Sequence, residues 1–392
     1  MLVAVVGGNL QGVEATYLAK KAGWEVILID RRSVVPASGL CDRFIRLDVT
    51  GGKDLSKTLG DVELIIPALE NQSALSALDQ WTREKGIAFA FDPEAYLVSS
   101  SKATSNRLFG RIGVPIPLPW PECGYPVVAK PSVGSGSKEV MIYHDAGSVQ
   151  PHIIESPEEW VLQGYVQGAS YSLEAIGRPG RYTPLQVTDL AMDSGFDCKR
   201  VIAPTDLPET LVSEFERISV SIAEELKLKG LMDIEVILHN NTLKVLEIDA
   251  RLPSQTPTVV YWSTGLNMLE LLAALFLPGT EKSPPNSAPP KGAVYEHVRV
   301  SSNSLEVAGE HIMSGADALC LRHDFFGADE AITNYAPGRA EWVATLIFAD
   351  ATRETALEKR HRMISDLQNR FNLTAYRDLS PNPDKPELKI DD

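Results

Sequence analysis

Residues 244–258 read KVLEIDARLPSQTPT and set three charged side chains into a run otherwise written like a buried strand. Side chains alternate across an extended strand, so Glu247, Asp249 and Arg251 share one face while Leu246, Ile248 and Ala250 take the other. Unpaired charges cannot be buried cheaply, so the charged face is expected to line a cleft that holds a cation or a polyphosphate. An amphipathic strand with a solvated face is the alternative. The run just before it, GLMDIEVIL at 230–238, is a second strand with Asp233 and Glu235 on one face, and Asn240-Asn241 makes the turn between the two. Glu235 and Glu247 then meet across a hairpin, close enough to share a metal ion.

The remaining elements fall on either side of this hairpin. The opening MLVAVVGGNLQGVEATYLAKKAGWEVILID is strand, glycine turn, helix and strand, a βαβ unit. Gly7, Gly8 and Gly12 resemble a dinucleotide fingerprint, but Asn9 stands where that fingerprint requires glycine, so an NAD site is not expected. Further strands are read near Arg43–Leu47, Val62–Pro67 and Phe89–Asp92, bringing Leu10, Gln11, Asp30 and Glu70 to the carboxyl ends of a parallel sheet, where ligands bind. Glu70 also suits a helix N-terminus.

A helix from Ser101 to Ile112 follows, with Lys102 in its first turn, a poor place for a cation unless an anion approaches. Next, YPVVAKPSVGSGSKEVMIY gives a strand ending in Lys130, a Gly/Ser loop and a returning strand. Such a loop can wrap phosphates, or be a plain flexible hairpin. WVLQGYVQGASYSLEAIG is strand, turn and strand; residues 182–199 look extended, with Asp189, Asp193 and Asp197 near Cys198. Residues 208–226, 259–276 and 353–371 read as helices, and strands are expected at 291–300, in the 330s and at 339–348. SPNPDKPELKIDD closes the chain as a polar, proline-rich tail expected to be disordered.

Composition narrows the partners. With 52 acidic against 37 basic residues the formal charge is −15, which argues against nucleic acid or an anionic membrane surface and favours cationic small molecules. The chain shows no run of eighteen apolar residues and no signal-like start, so a cytoplasmic protein is expected. Cys41, Cys123, Cys198 and Cys320 lie too far apart for a redox or zinc motif.

In order, then, the chain offers a Rossmann-like lobe, an early lysine, a strand-borne lysine before a Gly/Ser loop, a hinge strand and a hairpin ending E-x-D-x-R. That order resembles the ATP-grasp carboxylate–amine ligases, over Met1 to about Tyr376. Within them GGNLQGVEA, LEN, VVAKP, YSLEAIG, MDIEV and EIDARLPSQTPTVVY are similar to the ligases of pyrrolysine biosynthesis. The resemblance implies a mixed α/β and α+β architecture, the ATP-grasp fold with an N-terminal Rossmann-like domain. Residues 1–95 would be that substrate-binding lobe, 96–170 the small ATP-grasp lobe, 171–378 the large lobe and 379–392 the tail.

It also implies roles. ATP and Mg²⁺ are the expected cofactors. Lys102 and Lys130 match the lysines that hold ATP phosphates, Ser132, Gly134, Ser135, Gly136 and Ser137 the phosphate lid, and Gln163, Gly164, Tyr165 and Val166 the adenine-binding crossover. Gln163 stands where many relatives have glutamate, and Ser170 is a candidate for the ribose. Glu235, Glu247 and Asp249 match the metal ligands, and Arg251 the residue that steadies the reacting carboxylate. Leu10, Gln11 and Glu70 match positions that hold L-lysine. For 3-methyl-D-ornithine, or D-ornithine, the candidates are Asp233 for the α-amine, Asp189 for the side-chain amine and Ser254 as a further contact. Glu174 and Asp233 are alternative bases for the attacking amine. A homodimer is compatible with the sequence but not required by it. Competing expectations are an ATP-grasp ligase for another amino acid, dipeptide or purine precursor, and an NAD-dependent amino-acid dehydrogenase.

Overall fold

The computed structural model describes residues 1–51, 55–134, 136–137, 139–156, 158–280 and 289–381. Five parallel strands open the chain, in sheet order Arg43–Arg46, Glu25–Asp30, Leu2–Val6, Leu64–Pro67 and Ala88–Phe89. The chain winds outward from Leu2–Val6 in both directions, which leaves a crevice at the carboxyl end of that strand. Gly7 turns the chain there at φ +109°, and a Cβ on it would stand 2.2 Å from the Ala68 carbonyl oxygen.

A small antiparallel sheet follows, with Val127–Pro131 between Met141–Tyr143 and Trp160–Gly164. The rest forms one large sheet. Its path runs Thr242–Asp249, Gly230–His239, Ala169–Arg178, Thr188–Met192, Cys198–Ala203, Gly292–Val300, Trp342–Asp350, Ala328–Thr333 and Cys320–Phe325. One end of this sheet buries Leu173, Ile234, Val245 and Ile248 against Phe215, Ile218 and Ile222 of helix Glu209–Leu226. Each such fully buried side chain contributes roughly 1.5–3 kcal/mol relative to exposure. The opposite face of that end is the charged one.

Two expectations change. Residues 259–276 are not one helix: helix Thr256–Thr264 ends at Gly265, in the left-handed conformation at φ +79°, and Met268–Phe276 starts afresh with Asn267 as its N-cap. The two axes bend by 100°. Asn267 fixes the corner, accepting from the Leu269 amide and donating to the Leu18 carbonyl. Among the described residues no single helix is long and apolar enough to cross a membrane.

The start of the expected tail is not loose either. The fully buried Lys199 pairs with Asp378 at 2.7 Å and donates to the Leu379 carbonyl, and Ser380 and Pro381 line the central cleft. Residues 382–392 lie outside the described residues. Asp378 also takes Arg200 at 2.6 Å, beside the buried Glu296, which Arg360 and Arg200 both engage. Burial alone would raise the Asp378 pKa, but Arg200 and Lys199 outweigh it and hold it at about 2. A carboxyl whose pKa drops on folding stabilises the fold above its unfolded value and loses that contribution as pH falls through the folded value. Asp378→Asn should therefore lower stability at pH 7 by roughly 1–2 kcal/mol once solvent screening of this half-buried group is allowed for, with the gap to wild type closing between about pH 4 and pH 2. Urea titrations at pH 7 and at pH 3 check this.

Candidate active site

The hairpin keeps register from Asp233 opposite Asp249 to Glu235 opposite Glu247, then slips, so that Val236 pairs with Val245. The extra residue is Leu246. This bulge bends the strand and turns a residue that strict alternation assigns to the core. Leu246 lines the cleft instead, and its carbonyl accepts from Lys130 Nζ at 3.1 Å. Ile248 and Ala250 are buried as the alternation requires.

Strand Ala169–Arg178 pairs on the other side of Gly230–His239, with Glu174 opposite Asp233 and Ser172 opposite Glu235. Two rows therefore cross three strands: Glu174, Asp233 and Asp249, then Ser172, Glu235 and Glu247. Five carboxyls crowd one face, and three cations answer them. Lys102 meets Glu247 at 3.0 Å; Arg251 meets Asp249 and Glu70, each at 2.6 Å; Lys130 sits 8% exposed between strands.

The charges divide unevenly. Burial raises the Glu247 pKa, but Lys102 and Lys130 outweigh it and hold Glu247 below its usual range. Burial and then Glu247 push Glu235 well above its usual range. Burial also lifts Asp249 to about 7, although Arg251 works against it, and Asp233 to about 6, against the hydrogen bond from Ser172. Burial lowers Lys130 to about 8, with Lys102 adding to the effect. Without a multivalent cation the face is over-supplied with carboxyl groups. Asp249 Oδ1 is buried with no hydrogen-bond partner, and Glu235, Glu247 and Asp249 are the hard oxygen donors that Mg²⁺ takes.

The face floors a cleft of about 1950 Å³ roofed by the small sheet. Val128, Met141, Tyr143, Trp160, Leu190 and Ile237 supply flat or apolar walls, and Gln163, Gly164, Tyr165, Val166 and Ser170 lie along one side. The Gly164 and Tyr165 amides already donate to the Leu118 and Pro126 carbonyls, so they are not available to read a base. At the other end, Lys102 Nζ reaches the Gly134 carbonyl at 2.7 Å, and Ser137 donates to the Phe196 carbonyl at 2.7 Å. The Gly/Ser loop is thus drawn over the floor. Ser132 does not line the cleft: its hydroxyl ties the loop to the Ser101 hydroxyl and the Ala103 amide. Ser135 lies outside the described residues.

On the first lobe, Gln11 donates to Glu70 at 3.1 Å, and Glu70 carries the link to Arg251. Asn9 Oδ1 and Gln11 Oε1 are buried beside this turn without hydrogen-bond partners. Asp30, which would hold a ribose in a dinucleotide site, is bound by Arg32 and the Gly8 amide.

An ATP-grasp domain model matches residues 99–255. The chain is 33% identical over 378 residues to the 3-methyl-D-ornithine–L-lysine ligase of Methanosarcina mazei, covering 95% of this chain and 97% of that one. It is 34% identical over 379 residues to the enzyme of the same name from Methanosarcina acetivorans, covering 94% and 98%. The chain belongs to the 3-methyl-D-ornithine–L-lysine ligase family. Solved structures share the fold of this ligase at lower identity. The ADP complex of an N5-carboxyaminoimidazole ribonucleotide synthetase matches at 16% identity with a TM-score of 0.68, covering 94% of this chain and 97% of that one. The biotin carboxylase domain of the Hydrogenobacter thermophilus 2-oxoglutarate carboxylase, solved with Mg-ADP and bicarbonate, gives 16% and 0.70, covering 93% and 89%. These likenesses agree with the ATP-grasp architecture and the Rossmann-like first lobe expected of the ligase.

Three assignments need correction. Asp189 is engaged by Arg353 and by the Thr205 hydroxyl and does not line the cleft, so it is not placed to meet a substrate of this ligase. Glu174 is fully buried opposite Asp233, and burial lifts its pKa to about 8; it too does not line the cleft. Ser132 is a hinge tie rather than a phosphate contact. One residue was missed: Glu310 lines the cleft beside Ser254, and its stretch VAGEHIM carries no motif that marks it. Asp189→Asn should lower the unfolding free energy by roughly 3 kcal/mol, because it leaves Arg353 short of its buried partner. The KM for each amino acid should stay within about twofold of wild type. Denaturant titration and steady-state kinetics separate the two effects.

Proposed function

We propose that this ligase joins (3R)-3-methyl-D-ornithine to the ε-amine of L-lysine with consumption of ATP. The products are 3-methyl-D-ornithyl-N6-L-lysine, ADP and phosphate. The observation that carries the reading is the relationship to the Methanosarcina enzymes over nearly the whole of both chains. The carboxylate face, richer in acids than in the cations that answer it, supports the chemistry.

Such a ligation proceeds by attack of the ornithine carboxylate on the γ-phosphate of ATP, giving an acyl phosphate that the lysine amine then opens with loss of phosphate. Lys102 and Lys130 suit the phosphates. Glu235, Glu247 and Asp249 would hold Mg²⁺, which when bound neutralises charge on the transferring group. Arg251 lines the cleft between Asp249 and Glu70 and suits the oxyanion that forms as the amine adds.

The lysine amine must lose a proton before it attacks, since its free pKa of about 10.4 leaves roughly one molecule in a thousand neutral near pH 7. Asp233 suits this task better than the sealed Glu174: it lines the cleft, and burial lifts its pKa to about 6, nearer the working pH than an ordinary carboxylate. For lysine itself, the unpartnered Asn9 and Gln11 oxygens beside Glu70 suit its α-ammonium as hydrogen-bond acceptors. Glu70 ties that turn to Arg251, which brings amine donor and acyl centre together.

Incubation with ATP, Mg²⁺, L-lysine and either D-ornithine or its 3-methyl form, read by mass spectrometry, should show the mass of the condensed amide; folded protein that forms it from neither refutes the assignment. Arg251→Ala should lower kcat by about 10²–10³-fold while the KM for ATP moves little. Glu247→Gln should raise the Mg²⁺ concentration needed for half-maximal rate by about tenfold, read from a magnesium titration.

A further inference from the structure

The acyl phosphate of the proposed reaction is open to water as well as to lysine, and the inference below rests on that reaction. Water adding to the acyl carbon in place of the amine expels phosphate and returns the free carboxylate, so ATP is consumed and no amide forms. With only about one lysine in a thousand neutral near pH 7, the intermediate must wait for its amine. The cleft therefore has to keep water from the acyl centre meanwhile.

The last described stretch of the chain is built into that cleft. Strand Ala375–Arg377 pairs in parallel with Ser304–Val307, Arg377 opposite Glu306. Parallel strands leave a sheet at the same end, and both of these run on into the cleft: Glu310 follows the first-formed strand, Ser380 and Pro381 the second. The same end holds Ser254, which donates to Glu310 at 2.6 Å, and Arg251, close enough to counter the burial that raises the Glu310 pKa. The neighbouring walls are pinned. The Gly309 amide donates to Asp193 Oδ2 at 2.8 Å, the His311 amide to Asp197 Oδ2 at 3.0 Å, and Gln255 Nε2 to Glu310 at 3.0 Å.

What holds the chain end there is a second bulge. Strand Cys198–Ala203 slips against Thr188–Met192, with Ala191 opposite Arg200 but Met192 opposite Cys198, so Lys199 is the extra residue. Its ammonium is buried and needs partners. The chain end supplies two, the Asp378 carboxylate at 2.7 Å and the Leu379 carbonyl at 2.6 Å. Arg200 takes the other Asp378 oxygen at 2.6 Å, and the Tyr376 hydroxyl donates to that oxygen at 3.2 Å. This anchorage stops at Leu379. Among the described residues neither Ser380 nor Pro381 makes a hydrogen bond or an ion pair of its own, yet both line the cleft. Their position is set by the anchor before them, and the fold gains little from it in return.

We infer that Ser380 and Pro381 wall the acyl end of the cleft and keep water from the acyl phosphate until lysine adds. The test is the ratio of ADP to amide formed, measured with ATP, Mg²⁺, L-lysine and whichever of D-ornithine and its 3-methyl form the wild type accepts. A chain ending at Pro381 keeps the wall and should hold the ratio within about 1.5-fold of wild type. A chain ending at Leu379 keeps the anchor and loses the wall, and should raise the ratio about fivefold. Its melting temperature should stay within about 2 °C of wild type, since the Lys199 and Arg200 contacts remain. Should that chain not fold, the full-length double variant Ser380→Gly, Pro381→Gly takes its place, with a rise of about twofold expected. An unchanged ratio in the chain ending at Leu379, or in the double variant standing for it, overturns the assignment, as does an equal rise in the chain ending at Pro381. A wild-type protein that forms no amide from either ornithine overturns the function beneath it instead.

Discussion

Like charges crowded on one side of a sheet are the constraint from which the rest of this molecule follows. Glu174, Asp233, Glu235, Glu247 and Asp249 occupy adjoining positions on three strands, a placement that folding alone disfavours. The strands hold them because the opposite face is a packed core against helix Glu209–Leu226. The balancing cations come from elsewhere: Lys102 from a helix start, Lys130 from the small sheet, and Arg251 from just beyond the hairpin, steadied by Glu70 of the first lobe. Three separate parts of the chain are thus drawn to one electrostatic centre.

The same contacts join the parts mechanically. Lys102 touches the hairpin and the Gly/Ser loop at once, and Arg251 touches the hairpin and the first lobe. Each cation is a bridge as well as a charge. A polyphosphate or a divalent ion arriving at the floor competes for the same side chains, so ligand binding and lobe contact share partners.

Much of this was legible in the sequence because it was written in short range. The hairpin, the first-turn lysine, the lysine before the Gly/Ser loop and helix Arg353–Phe371 each carry a local signature of alternation, capping or helical period. What escaped depends on distant partners. Asp189 reads like a site acid until Arg353, far along the chain, claims it; Ser132 reads like a lid contact until the start of the next-door helix does the same. Glu310 escaped for the opposite reason, because the groups that aim it, Asp193, Asp197 and the turn at Gln255, lie well upstream. The break at Gly265-Leu266-Asn267 was visible as stop and start residues, but the apolar period on both sides hid it.

The bulge at Leu246 puts the two halves of one strand in different phases. Before it, odd-numbered residues such as Leu243 and Val245 fill the core; after it, even-numbered Ile248 and Ala250 do. A reading frame of two, carried without interruption, cannot satisfy both halves. The unit of information in this strand is therefore its length as much as its residues: removing Leu246 would restore an unbroken ladder with Val245 and Ile248 still in the core and Glu247 and Asp249 still on the cleft side, and would take away only the carbonyl that Lys130 holds.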